Sequence, residues 1–144
     1  MSRVLVVEDH PPLATVVAIG MRRLGHDVVR VGSLERALAQ EGVFDVGIVD
    51  IELPDGNGIE LAAELLDGER VRAVIFYSAT RDPGLKARAL KFGPIVDKMG
   101  NLEELLDIAS SELARVSERA RAVGAGDAVL THESSRSGTR RRIR

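Results

Sequence analysis

Polar residues with the chemistry of a reactive site stand directly after short apolar runs in the sequence. In chain order they are Glu8 and Asp9 after the run 4–7, Asp50 after 46–49, Ser78 after 71–77 and Lys98 shortly after the apolar pair 95–96. Such valine- and isoleucine-rich runs are typical of strands buried on both faces of a parallel sheet. Because parallel strands end at one edge of a sheet, we expect these five side chains to converge there.

Three converging carboxylates impose an electrostatic cost. Two unit charges about 4 Å apart repel by about 4 kcal/mol at an effective dielectric constant of about 20, and a bound cation relieves that repulsion. Oxygen ligands without cysteine or histidine suit Mg²⁺. A carboxylate can accept a phosphoryl group, and a hydroxyl such as Ser78 and an ammonium such as Lys98 can hold its oxygens. The residue types therefore predict a Mg²⁺-dependent phosphoryl acceptor site.

Helical periodicity separates the apolar runs. Leu13, Val17, Met21 and Leu24 predict a helix that ends near Gly25. A second helix around Leu34 and Leu38 has Ser33 as its N-cap, and a third spans Ile59 to Leu66 and stops at Gly68. The fourth begins at Asp82-Pro83 and ends at Gly93, and the fifth begins at Asn101 with Glu104 three residues later and has an apolar stripe to Val116.

The run 28–31, broken by Arg30, predicts the second of five strands, and the alternation of strand and helix, repeated five times, predicts an α/β fold. We expect a doubly wound parallel sheet of five strands in the order 2-1-3-4-5, with right-handed crossovers. The fifth strand has the weakest pattern, since only Ile95 and Val96 support it.

Composition limits the remaining possibilities. The chain has 144 residues and no cysteine, which excludes disulfides, thiolate metal sites and a cysteine nucleophile. The longest stretch without charge, residues 11–21, is too short to span a bilayer, and no secretory signal precedes Glu8. We therefore expect a cytoplasmic protein with no membrane insertion.

The net charge of −2 conceals two unlike parts. Residues 124–144 carry five arginines against Asp127 and Glu133, so residues 1–123 hold the negative excess. The sequence predicts one domain over 1–123 and a basic, disordered tail over 124–144, too short for an output domain. Such a tail is either simply solvated or a weak electrostatic contact for nucleic acid, an acidic protein or anionic lipid.

Other α/β classes lack their motifs here. There is no G-x-x-x-x-G-K-[ST] loop, no G-x-G-x-x-G after the first strand and no G-x-S-x-G elbow. A phosphatase with an aspartate nucleophile also uses strand-end carboxylates and Mg²⁺. Glu52 stands where such an enzyme would have the second aspartate of a D-x-D pair, which argues against this class.

The sequence resembles the receiver domain of two-component response regulators, with its flavodoxin-like fold. The resemblance extends over about residues 3–120, and its matching stretches are Val4–Pro11, Ile48–Gly58, Phe76–Ala79 and Asp97-Lys98. It implies that Asp50 accepts phosphate from a sensor histidine kinase or a histidine phosphotransfer protein and so controls an unknown downstream protein partner. The chain would then be a signalling phosphoacceptor and not an enzyme.

The resemblance also implies roles for the neighbouring residues. Glu8, Asp9, the Asp50 carboxylate and the backbone carbonyl of Glu52 would hold Mg²⁺, while Ser78 and Lys98 would contact the phosphoryl group. Two positions depart from the family. Met99 replaces the proline that commonly follows the lysine, and Ile95 replaces an aromatic residue whose rotation reports phosphorylation. These departures keep open an alternative function, a receiver that binds partners without phosphorylation.

Overall fold

The computed structural model describes the backbone of residues 2–130 and the side chains of residues 2–123. Strands and helices alternate through this part of the chain. The strands are β1 (Arg3–Val7), β2 (Asp27–Val31), β3 (Phe44–Val49), β4 (Glu52–Leu53), β5 (Gly56–Asn57), β6 (Val71–Ser78) and β7 (Ile95–Asp97). The helices are α1 (Pro11–Arg23), α2 (Leu34–Leu38), α3 (Gly58–Asp67), α4 (Pro83–Ala89) and α5 (Leu102–Leu130).

Five of the strands form one parallel sheet in the order β2-β1-β3-β6-β7. Since β6 and β7 are the fourth and fifth strands of this sheet, the predicted order 2-1-3-4-5 and the α/β fold class are confirmed. The remaining two strands, β4 and β5, pair antiparallel as a separate two-stranded hairpin between Asp50 and α3. The sequence does not indicate this hairpin, because two-residue strands leave no periodicity to detect.

The sheet has an apolar core on each face, because successive side chains of a strand point to opposite sides. On one face, Val4 and Val6 belong to a cluster with residues of α1 and α5. On the other face, Leu5 and Val7 belong to a cluster with residues of α2, α3 and α4. The strands that carry the candidate site are therefore buried between two helical layers, as their unalternating apolar sequences predict.

Side-chain caps begin three of the helices where the sequence predicts them. Ser33 accepts a hydrogen bond from the backbone N–H of Arg36 at 3.1 Å at the start of α2. Asp82 caps α4, and Asn101 accepts from the N–H of Glu104 at 2.9 Å at the start of α5. The positive φ of Gly25, 94°, follows the end of α1, in the left-handed region that favours glycine.

Two helix ends differ from the predictions. Helix α4 ends at Ala89, because residues 90–92 form a turn and Gly93 packs against the carbonyl of Val74. Helix α5 continues to Leu130, past the boundary predicted at residue 123. Residues 120–130 are rich in alanine, which has the highest helix propensity. The rest of the predicted tail, residues 131–144, lies outside the described residues.

Within residues 2–130, none of the helices has the length and hydrophobicity needed to cross a membrane.

Candidate functional site

The register of the sheet brings the candidate residues to one edge. Val7 of β1 pairs with Val49 of β3, and Ser78 of β6 pairs with Asp97 of β7. The backbone continues this alignment past the strand ends, since the N–H of Asp50 donates to the carbonyl of Val7 at 3.0 Å. The N–H of Lys98 donates to the carbonyl of Ser78 at 3.1 Å. Residues far apart in the chain are thus neighbours at the carboxyl edge.

Three carboxylates lie together at this edge. Glu8, Asp9 and Asp50 each present an oxygen, and these oxygens all lie within 4.8 Å of one another. Glu8 and Asp50 are each only 5% exposed, whereas Asp9 is exposed. The predicted convergence of the three acidic residues is confirmed, with the exposed Asp9 on the solvent side.

Lys98 is the cation that faces two of these carboxylates. Its Nζ lies 2.7 Å from Asp50 Oδ2 and 2.8 Å from Glu8 Oε1. Burial alone would lower the pKa of Lys98, but the hydrogen bonds and charges of Asp50 and Glu8 raise it above its usual value. Lys98 is therefore charged at neutral pH and bridges two acidic residues from different strands.

Glu8 keeps an incompletely satisfied carboxylate. Burial raises the pKa of Glu8, and Lys98 and the N–H of His10, which donates to Oε2 at 3.1 Å, only partly oppose this effect. Although Lys98 Nζ is close to Oε1, this buried oxygen has no hydrogen bond of good geometry within residues 2–123. The clustered oxygens of Glu8, Asp9 and Asp50 are hard donors that suit a hard cation, so the residues present fit Mg²⁺.

Ser78 lies at the end of β6 and is 2% exposed. Its Oγ accepts a hydrogen bond from the N–H of Thr80 at 3.2 Å. In the described residues no hydrogen bond joins this hydroxyl to Asp50. Ser78 thus belongs to the same edge as the carboxylates through its backbone bond with Lys98.

The loop after Asp50 is held closely around it. The N–H of Glu52 donates to Asp50 Oδ1 at 3.2 Å, and the Glu52 residue itself is exposed. Gly58 packs against Asp50 so tightly that a Cβ at this position would lie 1.8 Å from the Asp50 carbonyl oxygen. Glu52 is not among the clustered carboxylates, and the role of its carbonyl as a metal ligand stays a prediction.

Asp55 fastens this loop to α2, a contact that sequence reasoning missed. Its two carboxylate oxygens accept hydrogen bonds from the N–H groups of Leu34 and Glu35 at 2.8 and 2.9 Å. These bonds lower the pKa of Asp55. Asp55 is far from Leu34 and Glu35 in the sequence, so this contact could not be inferred from local patterns.

The solved structures similar to this chain include response regulators and their receiver domains. The response regulator TrrA of Thermotoga maritima, solved in complex with Mg²⁺ and beryllofluoride, is similar with a TM-score of 0.70 and 25% identity. The match covers 78% of this chain and 99% of that one.

Two curated proteins are similar to this chain in sequence. The virulence sensor protein BvgS of Bordetella bronchiseptica is 39% identical over 60% of this chain and 8% of its own length. The DNA-binding transcriptional activator DevR/DosR of Mycobacterium tuberculosis is 33% identical over 94% of this chain and 60% of its own length. The chain therefore spans only part of each of these curated relatives.

The family model for the response regulator receiver domain matches residues 4–110. The chain belongs to the receiver domain family of two-component response regulators, which confirms the resemblance inferred from its motifs. The structure brings Glu8, Asp9, Asp50 and Lys98 into one cluster, with Ser78 beside it. Their individual chemical roles stay predictions.

Proposed function

We propose that Asp50 is the phosphoacceptor of a Mg²⁺-dependent phosphorelay switch. The observation that carries the proposal is the buried Asp50 carboxylate, which clusters with the carboxylates of Glu8 and Asp9 and contacts the ammonium of Lys98. A nucleophile needs a path to the phosphorus, a cation beside it and a donor for the transferred group, and these residues supply the required types. The complex of TrrA with Mg²⁺ and beryllofluoride supports this assignment by similarity.

The phosphoryl group would come from a phosphohistidine of a sensor kinase or a histidine phosphotransfer protein. A carboxylate oxygen of Asp50 attacks phosphorus, a P–O bond forms, and the P–N bond to the imidazole breaks. The electron pair of that bond returns to the imidazole nitrogen. Mg²⁺, when bound, stabilises the charge on the equatorial oxygens of the transferred group.

Residues of this chain perform the remaining work. Lys98 already contacts Asp50 Oδ2, so its ammonium is positioned to hold a phosphoryl oxygen on the modified residue. Ser78 has a hydroxyl that can donate to another oxygen, since its present hydrogen bond uses it only as an acceptor. The phosphorylated form would then alter the surface of α4, β7 and α5 and engage a cytoplasmic protein partner.

Intact mass spectrometry after incubation with acetyl phosphate or phosphoramidate and Mg²⁺ tests the proposal. We expect one phosphoryl adduct, which disappears in Asp50→Asn and in the presence of a metal chelator. Asp45→Asn is the matched control, because it removes a carboxylate near the amino end of β3, the strand that Asp50 follows, and it should keep the adduct. An adduct that persists in Asp50→Asn would contradict the assignment.

A receiver that signals by binding alone is the second candidate. It is favoured by Ile95, which packs against an apolar cluster where the family often has a mobile aromatic residue, and by Met99, which is 74% exposed. If neither small donors nor a cognate kinase phosphorylates the wild-type chain, this second function is supported and the first is wrong.

A further inference from the structure

Lys98 receives little support from its own strand. β7 has three residues and is an outer strand of the sheet, next to β6. Lys98 follows its last residue. A lysine side chain loses considerable rotamer entropy when it is held in one position. Its contacts with Glu8 and Asp50 therefore depend on how well the loop after β7 is fixed.

The carboxylate of Asp97 fixes that loop with both of its oxygens. Oδ1 accepts a hydrogen bond from the N–H of Met99 at 2.8 Å, which closes the turn on the far side of Lys98. Oδ2 accepts a hydrogen bond from Arg81 Nη1, also at 2.8 Å. Asp97 thus links the residue after Lys98 to a residue of a different loop.

Arg81 belongs to the loop that begins at Ser78. The hydroxyl of Ser78 accepts from the N–H of Thr80, and the hydroxyl of Thr80 accepts from the N–H of Asp82 at 3.3 Å. These two hydrogen bonds form successive turns, and Arg81 lies within the second turn, between Thr80 and Asp82. The Arg81–Asp97 ion pair consequently joins the loop of Ser78 to the loop of Lys98.

We infer that Arg81 and Asp97 are a positioning pair, which fixes the Ser78 loop and the Lys98 loop relative to each other for phosphoryl transfer to Asp50. The inference rests on the proposed function for its consequence and on the two hydrogen bonds of Asp97 for its geometry. The pair touches neither the acceptor nor the metal-binding carboxylates, so it acts through Lys98 and Ser78. Both side chains are partly exposed, 63% for Arg81 and 42% for Asp97, which keeps the effect modest and sensitive to salt.

A double-mutant cycle tests the pair in the full chain. Arg81→Ala removes the cation, and Asp97→Asn keeps an oxygen for the N–H of Met99 while it removes the charge. Each variant should lower the rate of adduct formation at saturating acetyl phosphate by about two- to fivefold, the range of an exposed ion pair. The double variant should lose no more of the rate than the more impaired single variant does, since the two residues act as one unit. Multiplicative losses would overturn the inference.

Two further readouts separate positioning from a general loss of structure. The Mg²⁺ concentration that gives half the maximal rate should stay unchanged in both variants, because Glu8 and Asp9 are not altered. Arg81→Lys should restore part of the rate, since it restores the charge. If the Mg²⁺ concentration for half the maximal rate shifts as much as the rate itself, or if Arg81→Lys restores none of the rate, the pair does not position the two loops.

Arg115→Ala is the matched control. Arg115 forms an exposed ion pair with Glu112 at 2.9 Å within α5, and its side chain is 68% exposed. Its removal changes the net charge by the same amount as Arg81→Ala but touches neither loop. The rate should stay at the wild-type value, and an equal decrease would assign the effect to net charge.

The signals of the Lys98 side chain provide a test that needs no phosphorylation. In spectra of the unmodified protein, assigned with Lys98→Arg, the ¹³Cε resonance of Lys98 should move in Arg81→Ala and Asp97→Asn but not in Arg115→Ala. If the wild-type chain takes no phosphoryl group, the proposed function fails while this shift still supports the geometric coupling. An unmoved Lys98 resonance in both variants overturns the inference.

Discussion

The two edges of the parallel sheet use the same residue types to opposite effect. At the amino edge, Arg3 Nε lies 3.8 Å from Asp27 Oδ2, and Arg72 Nε lies 3.6 Å from Asp45 Oδ1. Each of these carboxylates has its own arginine, and all four side chains are at least 31% exposed. At the carboxyl edge, the described residues include three clustered carboxylates, and Lys98 contacts two of them, Glu8 and Asp50.

The difference teaches that charge balance and burial, more than residue type, distinguish the carboxyl edge from the amino edge. Exposed one-to-one pairs are satisfied by water and by each other, and they contribute little energy. Among the described residues, the clustered carboxylates outnumber the cation that they contact, and Glu8 Oε1 has an ion pair with Lys98 but no hydrogen bond of good geometry. Among the described residues, the carboxyl edge therefore has an excess of negative charge, whereas the ion pairs at the amino edge are balanced.

The largest expected effect comes from closing the space beside Asp50. Gly58→Ala places a Cβ 1.8 Å from the Asp50 carbonyl oxygen, so the backbone of the carboxyl edge must move. We expect a loss of about 3 kcal/mol or more in the free energy of unfolding. Urea denaturation followed by circular dichroism measures it. Gly32→Ala is the control, since its nearest atom would lie 3.9 Å away, and an equal loss there would contradict the explanation.

Removal of the shared cation should have the next largest effect. Lys98→Met leaves Glu8 and Asp50 buried without their ion pair, which we expect to lower the free energy of unfolding at neutral pH by about 1–3 kcal/mol. Because the pKa of Lys98 is raised, its contribution is complete below its unfolded value of 10.5 and disappears as the pH rises through the folded value.

Acid should reduce the loss in the free energy of unfolding that Lys98→Met causes. A carboxyl whose pKa is raised by folding, as for Glu8, costs stability above that folded pKa and none below its unfolded value of 4.5. As the pH falls, Glu8 takes up a proton, and the difference between Lys98→Met and the wild type should shrink. Thermal unfolding over a pH series measures the difference, with the exposed Lys91→Met as control. A difference in stability between Lys98→Met and the wild type that stays constant with pH would contradict this role of Glu8.

Added Mg²⁺ should raise the free energy of unfolding by binding at the carboxyl edge. At a free Mg²⁺ concentration of about ten times the dissociation constant, the expected gain is about 1.4 kcal/mol, and a chelator should reverse it. Asp9→Asn should abolish the gain, whereas Asp27→Asn at the amino edge should preserve it. Thermal unfolding midpoints provide the measurement, and an equal loss in both variants would place the ion elsewhere.

The smallest effect is expected at the amino edge. Asp45→Asn weakens the exposed pair with Arg72 but retains an acceptor for the N–H of Arg3. The free energy of unfolding should fall by less than about 1 kcal/mol, and the loss should diminish in high salt. Denaturant titrations at two salt concentrations check both points. A loss as large as that of Lys98→Met would erase the distinction between the two edges.

Much of the fold could be predicted because its determinants are local. The buried strands appear as unbroken apolar runs, and Ser33, Asp82 and Asn101 each mark a helix start within a few residues. The hairpin of β4 and β5 and the end of α4 were not predicted. Both depend on packing against Asp50 or Val74, which no short stretch of sequence records.

The site could be predicted only as a set of residues at one edge. Strand ends place Glu8, Asp50 and Lys98 together, since the topology of a parallel sheet requires it. The two ion pairs of Lys98 and the link from Arg81 to Asp97 depend on loop conformation, so sequence spacing did not indicate them.

The parallel topology also has a consequence for the order of events during folding. Val7 pairs with Val49, and the cation that completes the site follows the last and shortest strand of the sheet. Contacts between segments so distant in the chain form slowly, because each requires the closure of a long loop. We expect a growing or partly unfolded chain to be unable to accept phosphate until β7 has docked. Under the function proposed for Asp50, phosphorylation would then report the completion of folding as well as the arrival of a signal.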